Sequence, residues 1–183
     1  MAIPKKLIKK LDDMSAKYEV IAHRKVYTAY DAAQTTKKKL EQIVKTLMVK
    51  AGGTYYLIHV PANKNINLEK LAKVLDVKKV TIPSEKQIAK ALNIKPGSLT
   101  AFGFMHKVET VIDKSLLKVK KAVFSSGSLT ESIEMPVKEF AKLTDDYIDG
   151  VFTIAKKIKK QKIVKPKKKN VKKKPKAKPK KRK

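Results

Sequence analysis

The stretch VKTLMVKAGGTYYLIHVPA, residues 44–62, decides the fold class of this chain. Two runs rich in β-branched and aromatic residues, 44–51 and 54–62, flank the dipeptide Gly52-Gly53. A tight two-residue hairpin turn needs positive φ at both central positions, which glycine adopts without steric cost. The stretch therefore predicts an antiparallel β-hairpin.

Helical and strand-like patterns alternate on both sides of this hairpin. Apolar periodicity and capping signals predict helices at 3–16, around 32–33, from 68 to 75, from 85 to 92, and from 136 onward. Residue composition predicts further strands at 18–23, 79–82, 108–113, 122–125 and 132–135, with a last apolar stretch at 147–154. Because several connections have hairpin length, the pattern favours an α/β (α+β) fold with a mixed sheet over a doubly wound parallel one.

Side chains that cap helices set the predicted helix starts. Thr28 and Asn67 stand at N-cap positions, and Ser84 with Gln87 has the spacing of a capping box. Pro136 is expected at the first position of the last helix. The polar run 34–39 is expected to be a loop or a frayed helix end.

The charge of the chain is strongly positive and concentrated at one end. The sequence has 45 basic and 16 acidic residues, and residues 156–183 contain 18 of the basic residues and none of the acidic ones. Lysine with interspersed proline and no apolar period cannot bury a core. We therefore expect a folded domain at 1–155 and a disordered lysine-rich tail at 156–183.

A positive charge of this size makes a polyanion the expected partner, with nucleic acid first and an anionic membrane second. Arg24 and Arg182 are the only arginines. Lysine attracts phosphate but lacks the bidentate geometry that reads base edges, so little sequence specificity is expected from charge alone. The tail is open to three interpretations: an electrostatic tether for RNA or the ribosome, a nuclear or chromatin-binding signal, and a solubilising extension.

Several function classes are excluded or disfavoured by what the sequence lacks. It has no cysteine, hence no disulfide, thiolate zinc site or cysteine nucleophile. His23, His59 and His106 stand far apart without a ligand motif, so no metal and no cofactor are expected. Neither a G-x-S-x-G elbow nor a glycine-rich nucleotide loop is present. No apolar run is long enough for a membrane span or a secretion signal, so we expect a cytoplasmic protein without a membrane partner.

Five segments of the chain, taken in order, resemble the YbaK/EbsC family. They are His23 with Thr28 and Ala32-Ala33, then 44–49 (VKTLMV), 68–80 (LEKLAKVLDVKKV), 97–103 (GSLTAFG) and 124–135. The members of this family are free-standing aminoacyl-tRNA deacylases related to the editing insertion of bacterial prolyl-tRNA synthetases. The resemblance covers about residues 18–143, and it implies a compact mixed β-sheet or partial barrel with surrounding helices.

The resemblance also implies a function and a site. The function is hydrolysis of the ester bond of mischarged aminoacyl-tRNA carrying a small amino acid, by a positioned water with stabilisation from a lysine and backbone amides. The resemblance implies Lys45, Gly97 and Ser98 as the catalytic residues, with Lys45 as the key side chain and the loop from Gly97 to Thr100 supplying backbone N–H groups beside the ester. The residues expected to bind substrate are His23, Thr28, Thr46, Thr100, Ser125, Ser126 and Gly127.

The implied partner is the aminoacyl acceptor end of tRNA, with the ribosome or an aminoacyl-tRNA synthetase as further candidates, and we expect a monomer. Two departures from the family pattern, Ala101 where many relatives have proline and Ser132 where some have an acidic residue, leave the edited amino acid open.

Each of these features also has a structural interpretation. Lys45 on an alternating strand would simply face solvent, and the glycines at 97 and 103 would be turn residues. The serine segment 125–128 would be a hairpin connection. The alternative function is a non-catalytic RNA- or DNA-binding protein that uses the editing fold as a scaffold and the basic tail as a tether.

Overall fold

The computed structural model describes residues 2–95, 97–144 and 146–156. The helices in this part of the chain are α1 (Lys5–Asp13), α2 (Ala29–Thr36), α3 (Leu68–Val74), α4 (Glu85–Leu92), α5 (Lys114–Leu117) and α6 (Val137–Leu143). The strands are β1 (Glu19–Ala22), β2 (Val44–Ala51), β3 (Thr54–Pro61), β4 (Lys64–Ile66), β5 (Val80–Thr81), β6 (Glu109–Asp113), β7 (Lys121–Ser125), β8 (Glu131–Pro136), β9 (Ile148–Gly150) and β10 (Thr153–Ala155). The expected tail beyond residue 156 lies outside the described residues.

The predicted hairpin is confirmed and forms the centre of the larger sheet. Strands β2 and β3 pair antiparallel from Val44 opposite Pro61 to Ala51 opposite Thr54. Gly52 and Gly53 form the turn with φ of 55° and 89°. Because both values are positive, this turn has the backbone conformation that favours glycine.

Three sheets surround the core. The five-stranded sheet has the order β5-β2-β3-β6-β9, with β6 parallel to both β3 and β9 and the remaining pairs antiparallel. A three-stranded antiparallel sheet has the order β1-β8-β7, and β10 pairs with β4. The mixed sheet with surrounding helices is thus confirmed.

The apolar faces of these elements pack into two main clusters, one on each side of the hairpin. The first joins α1 and α6 to β7 and β8 and centres on stacked Phe124 and Phe140, whose ring centroids lie 4.1 Å apart. The second joins α3 to β2, β3 and β6. Burying aromatic and aliphatic side chains on both faces of β2 and β3 makes the hairpin rigid at the strand that carries Lys45.

Two local predictions were wrong. Helix α2 continues through Thr36, so half of the polar run 34–39 is helical; Lys37 ends the helix in the left-handed conformation with φ of 56°. Pro136 is the N-cap residue of α6 and not its first helical residue. The cause is that Pro136 still belongs to β8, opposite Lys121.

Candidate functional site

A cavity opens where β7 separates from β2. The two strands meet at a parallel bridge between Ile43 and Val123, and the described residues form no further bridge between them toward Leu47 and Ser125. Since β5 reaches only Lys50 and Ala51, the β2 edge from Val44 to Val49 has no named strand paired to it among the described residues. The resulting cavity of about 390 Å³ is lined by this edge, by β7, by the start of α2 and by the loop after α4.

Lys45 lies on the wall of this cavity. Its side chain is half-buried, and no described carboxylate forms an ion pair with it. Burial of the ammonium lowers the pKa of Lys45, and the positive charge of Lys156 lowers it further. Among the described lining residues Lys45 is the one cation, and none of them is a carboxylate or a histidine. The Lys45 side chain therefore does not simply face bulk solvent, as its structural interpretation would require.

The pairing register directs a backbone donor toward the same cavity. The N–H of Ala62 donates to the carbonyl oxygen of Ile43 over 2.9 Å, so Ile43 and every second residue after it bond to β3. In an antiparallel ladder the intervening residues point their N–H and C=O groups the other way. Thr46 therefore presents its N–H at the open edge of β2. Its hydroxyl is buried and has no hydrogen-bond partner among the described residues.

The two loops expected at the site do converge. Thr100 and Ser126 form an antiparallel bridge, and the N–H of Ala101 donates to the carbonyl oxygen of Ser125 over 2.8 Å. Gly127, with φ of 85°, lies so close to the other loop that a Cβ there would approach the Thr100 methyl carbon to 2.8 Å. Glycine is required at this position both by the left-handed backbone and by the close approach.

The expected site residues divide into two groups. The cavity is lined by Lys45, Thr46, Thr28, Gly97 and Ser125. The remaining ones do not line it. The Ser98 hydroxyl donates to the Lys95 carbonyl oxygen, the Ser126 hydroxyl donates to the Glu131 carbonyl oxygen, and Thr100 and Gly127 join the two loops. Thr100 and Gly127 thus lie at the contact between the two loops, whereas the hydroxyl bonds of Ser98 and Ser126 stay within their own loops.

His23 contacts the site through Ser132, which lines the cavity. The Nδ1–H of His23 donates to the Arg24 carbonyl oxygen over 2.9 Å, so Nε2 carries a lone pair when the ring is neutral. Ser132 Oγ lies 2.9 Å from Nε2 and must then donate its proton to it. Ser132 consequently offers lone pairs, and no proton, to the cavity.

The other two histidines, His59 and His106, do not line the cavity and instead form hydrogen bonds to the segment 100–101. His59 is fully buried, its Nε2–H donates to the Ala101 carbonyl oxygen, and burial lowers its pKa to about 4. His106 lies 2.9 Å from the Thr100 hydroxyl through Nε2, and burial lowers its pKa as well. Both therefore stay neutral at physiological pH and hold the segment 100–101 in place. The described residues contain no cluster of three or more metal-ligating side chains.

An exposed aromatic ring stands at the mouth of the cavity. Tyr27 lines the cavity while its residue remains 73% exposed, and the Lys25 ammonium lies 5.0 Å from the centroid of its ring. Next to it, Thr28 closes a capping box with Asp31 that fixes the start of α2. Tyr27 and Ser132 were not among the residues expected from sequence. The position of Tyr27, directly before the helix-capping Thr28, could have indicated from sequence that its ring lies at the start of α2. The hydrogen bond between Ser132 and His23 could not, because it joins residues 109 positions apart.

Comparisons with known proteins identify the family to which this chain belongs. The family model of the aminoacyl-tRNA editing domain matches residues 23–143, which include the hairpin and all the cavity-lining elements. The chain belongs to this family. The resemblance to the YbaK-like deacylases is thereby confirmed, and the chain is an aminoacyl-tRNA deacylase whose substrate is aminoacyl-tRNA.

Relatives in sequence and structure are consistent with the family assignment. The prolyl-tRNA editing protein ProX of Acetoanaerobium sticklandii is 29% identical over 117 residues, which cover 61% of this chain and 71% of ProX. The crystal structure of hypothetical protein APE2540 superposes with a TM-score of 0.73 at 17% identity, covering 81% of this chain and 99% of that one. A crystal structure described as a candidate trans-editing enzyme for prolyl tRNA synthetase has a TM-score of 0.71 at 17% identity, covering 82% and 96%. At such identities the two structures support the fold alone.

The helices of the described part are short, and none combines the length and apolar character that a bilayer span requires.

Proposed function

We propose that this chain edits in trans, by hydrolysing the ester between a small amino acid and the 3′-terminal ribose of a mischarged tRNA. The observation that carries the proposal is the cavity in which Lys45 and the outward N–H of Thr46 meet at the open edge of β2. A volume of about 390 Å³ accommodates an aminoacyl group together with a water molecule. Apolar residues such as Val26, Ile43 and Leu99 line much of the wall and suit a small side chain.

The chemistry needs no nucleophile from the protein. A water oxygen attacks the ester carbonyl carbon, the bond between that carbon and the ribose oxygen breaks, and one water proton ends on the ribose oxygen. The products are the free amino acid and deacylated tRNA. Negative charge develops on the carbonyl oxygen during attack, and preorganised donors aimed at this oxygen lower the barrier. Here the donors are the Thr46 N–H and the Lys45 ammonium, whose field is strengthened by partial burial.

Groups at the cavity can bind both the α-ammonium of the aminoacyl group and the 3′-terminal base of the tRNA. With a neutral His23 ring the Ser132 hydroxyl donates to Nε2, and the Ser132 oxygen then accepts from the α-ammonium of the aminoacyl group. The exposed ring of Tyr27 offers a surface on which the 3′-terminal base stacks, since aromatic rings stack on bases irrespective of their identity. The lysine-rich segment after residue 155 acts as an electrostatic tether to RNA. The ribosome or a synthetase remains a further partner in this proposal.

The direct test is single-turnover deacylation with the full chain and a panel of aminoacyl-tRNAs carrying alanine, cysteine, serine and larger amino acids. Hydrolysis confined to small aminoacyl groups supports the proposal. If every ester in the panel survives at saturating protein, the domain acts as a non-catalytic RNA-binding scaffold instead. Lys45→Ala serves as the matched inactive variant, which separates the chemistry of the cavity from contaminating hydrolases.

A further inference from the structure

A second cavity of about 640 Å³ lies next to the candidate site and has a different chemical character. We call it the lysine groove. It is formed by the segment before β2, the end of β3, β4, and the loop between α5 and β7. Among the described residues, the lysines that line it are Lys39, Lys64, Lys118, Lys120 and Lys121, against a single acidic residue, Glu41.

The lysine groove continues directly into the candidate site. Lys121 lines the groove, whereas Val123 and Ser125 line the cavity. Alternate residues of a strand share one face, so these three side chains follow one another along the same face of β7. The step from Lys121 to Val123 is about 7 Å, which corresponds to about two nucleotides of a stacked strand at 3.4 Å each.

A second connection runs through the hairpin. Pro61 of β3 lines the groove and pairs with Val44 of β2, which lines the cavity. The backbone carbonyl oxygen of Asn63, also in the groove, accepts a hydrogen bond from the N–H of Lys156, so the first residue of the lysine-rich tail lies here. The groove therefore borders the cavity along β7 and along the hairpin, and the backbone of Lys156 contacts the groove at Asn63.

Most of the positive charge in the groove is available to a ligand. Lys121 forms ion pairs with Glu19 and Glu134 at 2.9 Å and 3.4 Å, and the buried carboxylate of Glu134 also binds Lys38. The other four groove lysines form no ion pair with a described residue. Lys118 and Lys120 are exposed, on the short loop that enters β7. Such unpaired amines surrounding a concave surface concentrate phosphates and release counterions when they bind them.

We propose that the lysine groove binds the phosphates of the single-stranded 3′ segment of tRNA that immediately precedes the ester. This inference rests on the proposed function, because an ester held at Lys45 requires the preceding nucleotides to leave the cavity within a few ångströms. The groove provides positive charge next to the cavity, through Lys118 and Lys120 on the loop that enters β7 and through Lys39 and Lys64 across from them. Lysine, as a point charge without a planar fork, makes this contact independent of base identity.

The test compares two double variants of the full chain that lose the same charge. Lys118→Gln with Lys120→Gln removes two groove amines. The control, Lys78→Gln with Lys79→Gln, removes two exposed lysines just before β5, where Val80 pairs with Ala51. Ala51 stands six residues along β2 from Lys45, about 20 Å away. Thermal midpoints equal to that of the unmodified chain show that both variants fold.

Binding is measured with deacylated bulk tRNA over a series of salt concentrations, so that it does not depend on hydrolysis. The groove variant is expected to flatten the plot of log affinity against log salt by about 1.4 to 1.8, from two lost contacts at about 0.7 to 0.9 each. The control variant is expected to keep the original slope. With tRNA from which the single-stranded 3′ segment has been removed, the groove variant and the unmodified chain should bind with equal slopes.

An unchanged slope in the groove variant refutes the proposal. A slope difference that persists on the shortened tRNA also refutes it, because the lysines then contact another part of the RNA. If the groove variant were unstable, Lys39→Gln with Lys64→Gln would replace it. Failure of the proposed function appears separately, as absent hydrolysis by the unmodified chain in the deacylation panel.

Discussion

Replacing Lys45 by methionine isolates the role of its ammonium. Methionine preserves the length of the side chain and its packing at the half-buried position on β2 while removing the charge. Because no described carboxylate pairs with Lys45, the substitution leaves no buried partner without its counterion. Lys50→Met is the matched control: it makes the same change on the same strand, five residues away and exposed.

The expected effect on the rate is large. Removing one donor aimed at a developing oxyanion costs about 10²- to 10³-fold in rate, or about 2.7–4 kcal/mol. We expect a loss of this size for Lys45→Met in single-turnover deacylation at saturating protein. The control should stay within about twofold of the unmodified chain, since exposed substitutions away from a site shift free energies by only about 0.5 kcal/mol.

The effect on stability has the opposite sign from that of an ordinary core substitution. Burial lowers the pKa of Lys45 in the folded state. The folded chain therefore holds this proton less tightly than the unfolded chain, and the penalty is present below the folded pKa and disappears as pH rises toward the ordinary value. Removing the ammonium removes the penalty. The free energy of unfolding at pH 7 should thus stay constant or rise in Lys45→Met.

The pH profile gives an independent measure of the same group. The single-turnover rate, corrected for spontaneous ester hydrolysis, should fall on the alkaline side as Lys45 loses its proton, at a pH below the ordinary lysine value of about 10.4. Because the charge of Lys156 also lowers this pKa, Lys156→Gln should move the fall to higher pH. Retained activity in Lys45→Met, or a marked loss of stability with it, would refute the reasoning and identify Lys45 as a structural residue.

Four further predictions follow from other parts of the site. Thr46→Val removes a buried hydroxyl without a described partner and should raise the free energy of unfolding by about 1–2 kcal/mol while the deacylation rate stays unchanged. Thr46→Pro removes the outward N–H and should lower the deacylation rate about 10²- to 10³-fold. Equal rates in the two variants would contradict the assignment of this N–H as a donor. Tyr27→Ala should lower kcat/KM by a stacking contribution of about 1–3 kcal/mol, and Tyr30→Ala, exposed but outside the cavity lining, should not. Gly127→Ala should destabilise the fold by about 2–4 kcal/mol in chemical denaturation, through the positive φ and the contact with the neighbouring loop; a neutral result would mean that the loops separate easily. Truncation after Lys156 should reduce the salt slope of tRNA binding by several contacts and leave the single-turnover rate unchanged, and a collapsed rate at saturation would show that the tail helps to build the active complex.

Local signals in the sequence were sufficient for most elements of the fold. The Gly52-Gly53 turn and the caps at Thr28, Asn67 and Ser84 act within a few residues of the chain, and all four are confirmed. The errors at 34–39 and at Pro136 lie where pairing or packing extends an element past its local signal. Element ends depend on distant partners, which no short stretch of sequence contains.

The candidate site, like the fold, has features that the sequence predicts and features that it does not. The order of five family-like segments was enough to identify Lys45, Gly97 and the two loops as belonging together. Which of the expected residues line the cavity, and which hold the loops behind it, could not be read from the sequence. Ser98 and Ser126 are the same type of residue as Ser125, yet only Ser125 lines the cavity. The difference arises from the direction in which each backbone segment presents its side chain after the loops have met.

The sequence by itself determined the fold class and the family and indicated Lys45 as the candidate site lysine, because the hairpin turn and the helix caps depend on neighbouring residues and the family resemblance on the order of segments along the chain. Only the tertiary structure decided that β7 leaves β2 after the bridge at Ile43, so that the N–H of Thr46 faces an open cavity. It also decided that lysines from three separate segments of the chain line one groove next to that cavity. The bridge joins residues 80 positions apart and the groove lysines lie between positions 39 and 121, so both features form only when distant segments pack against each other.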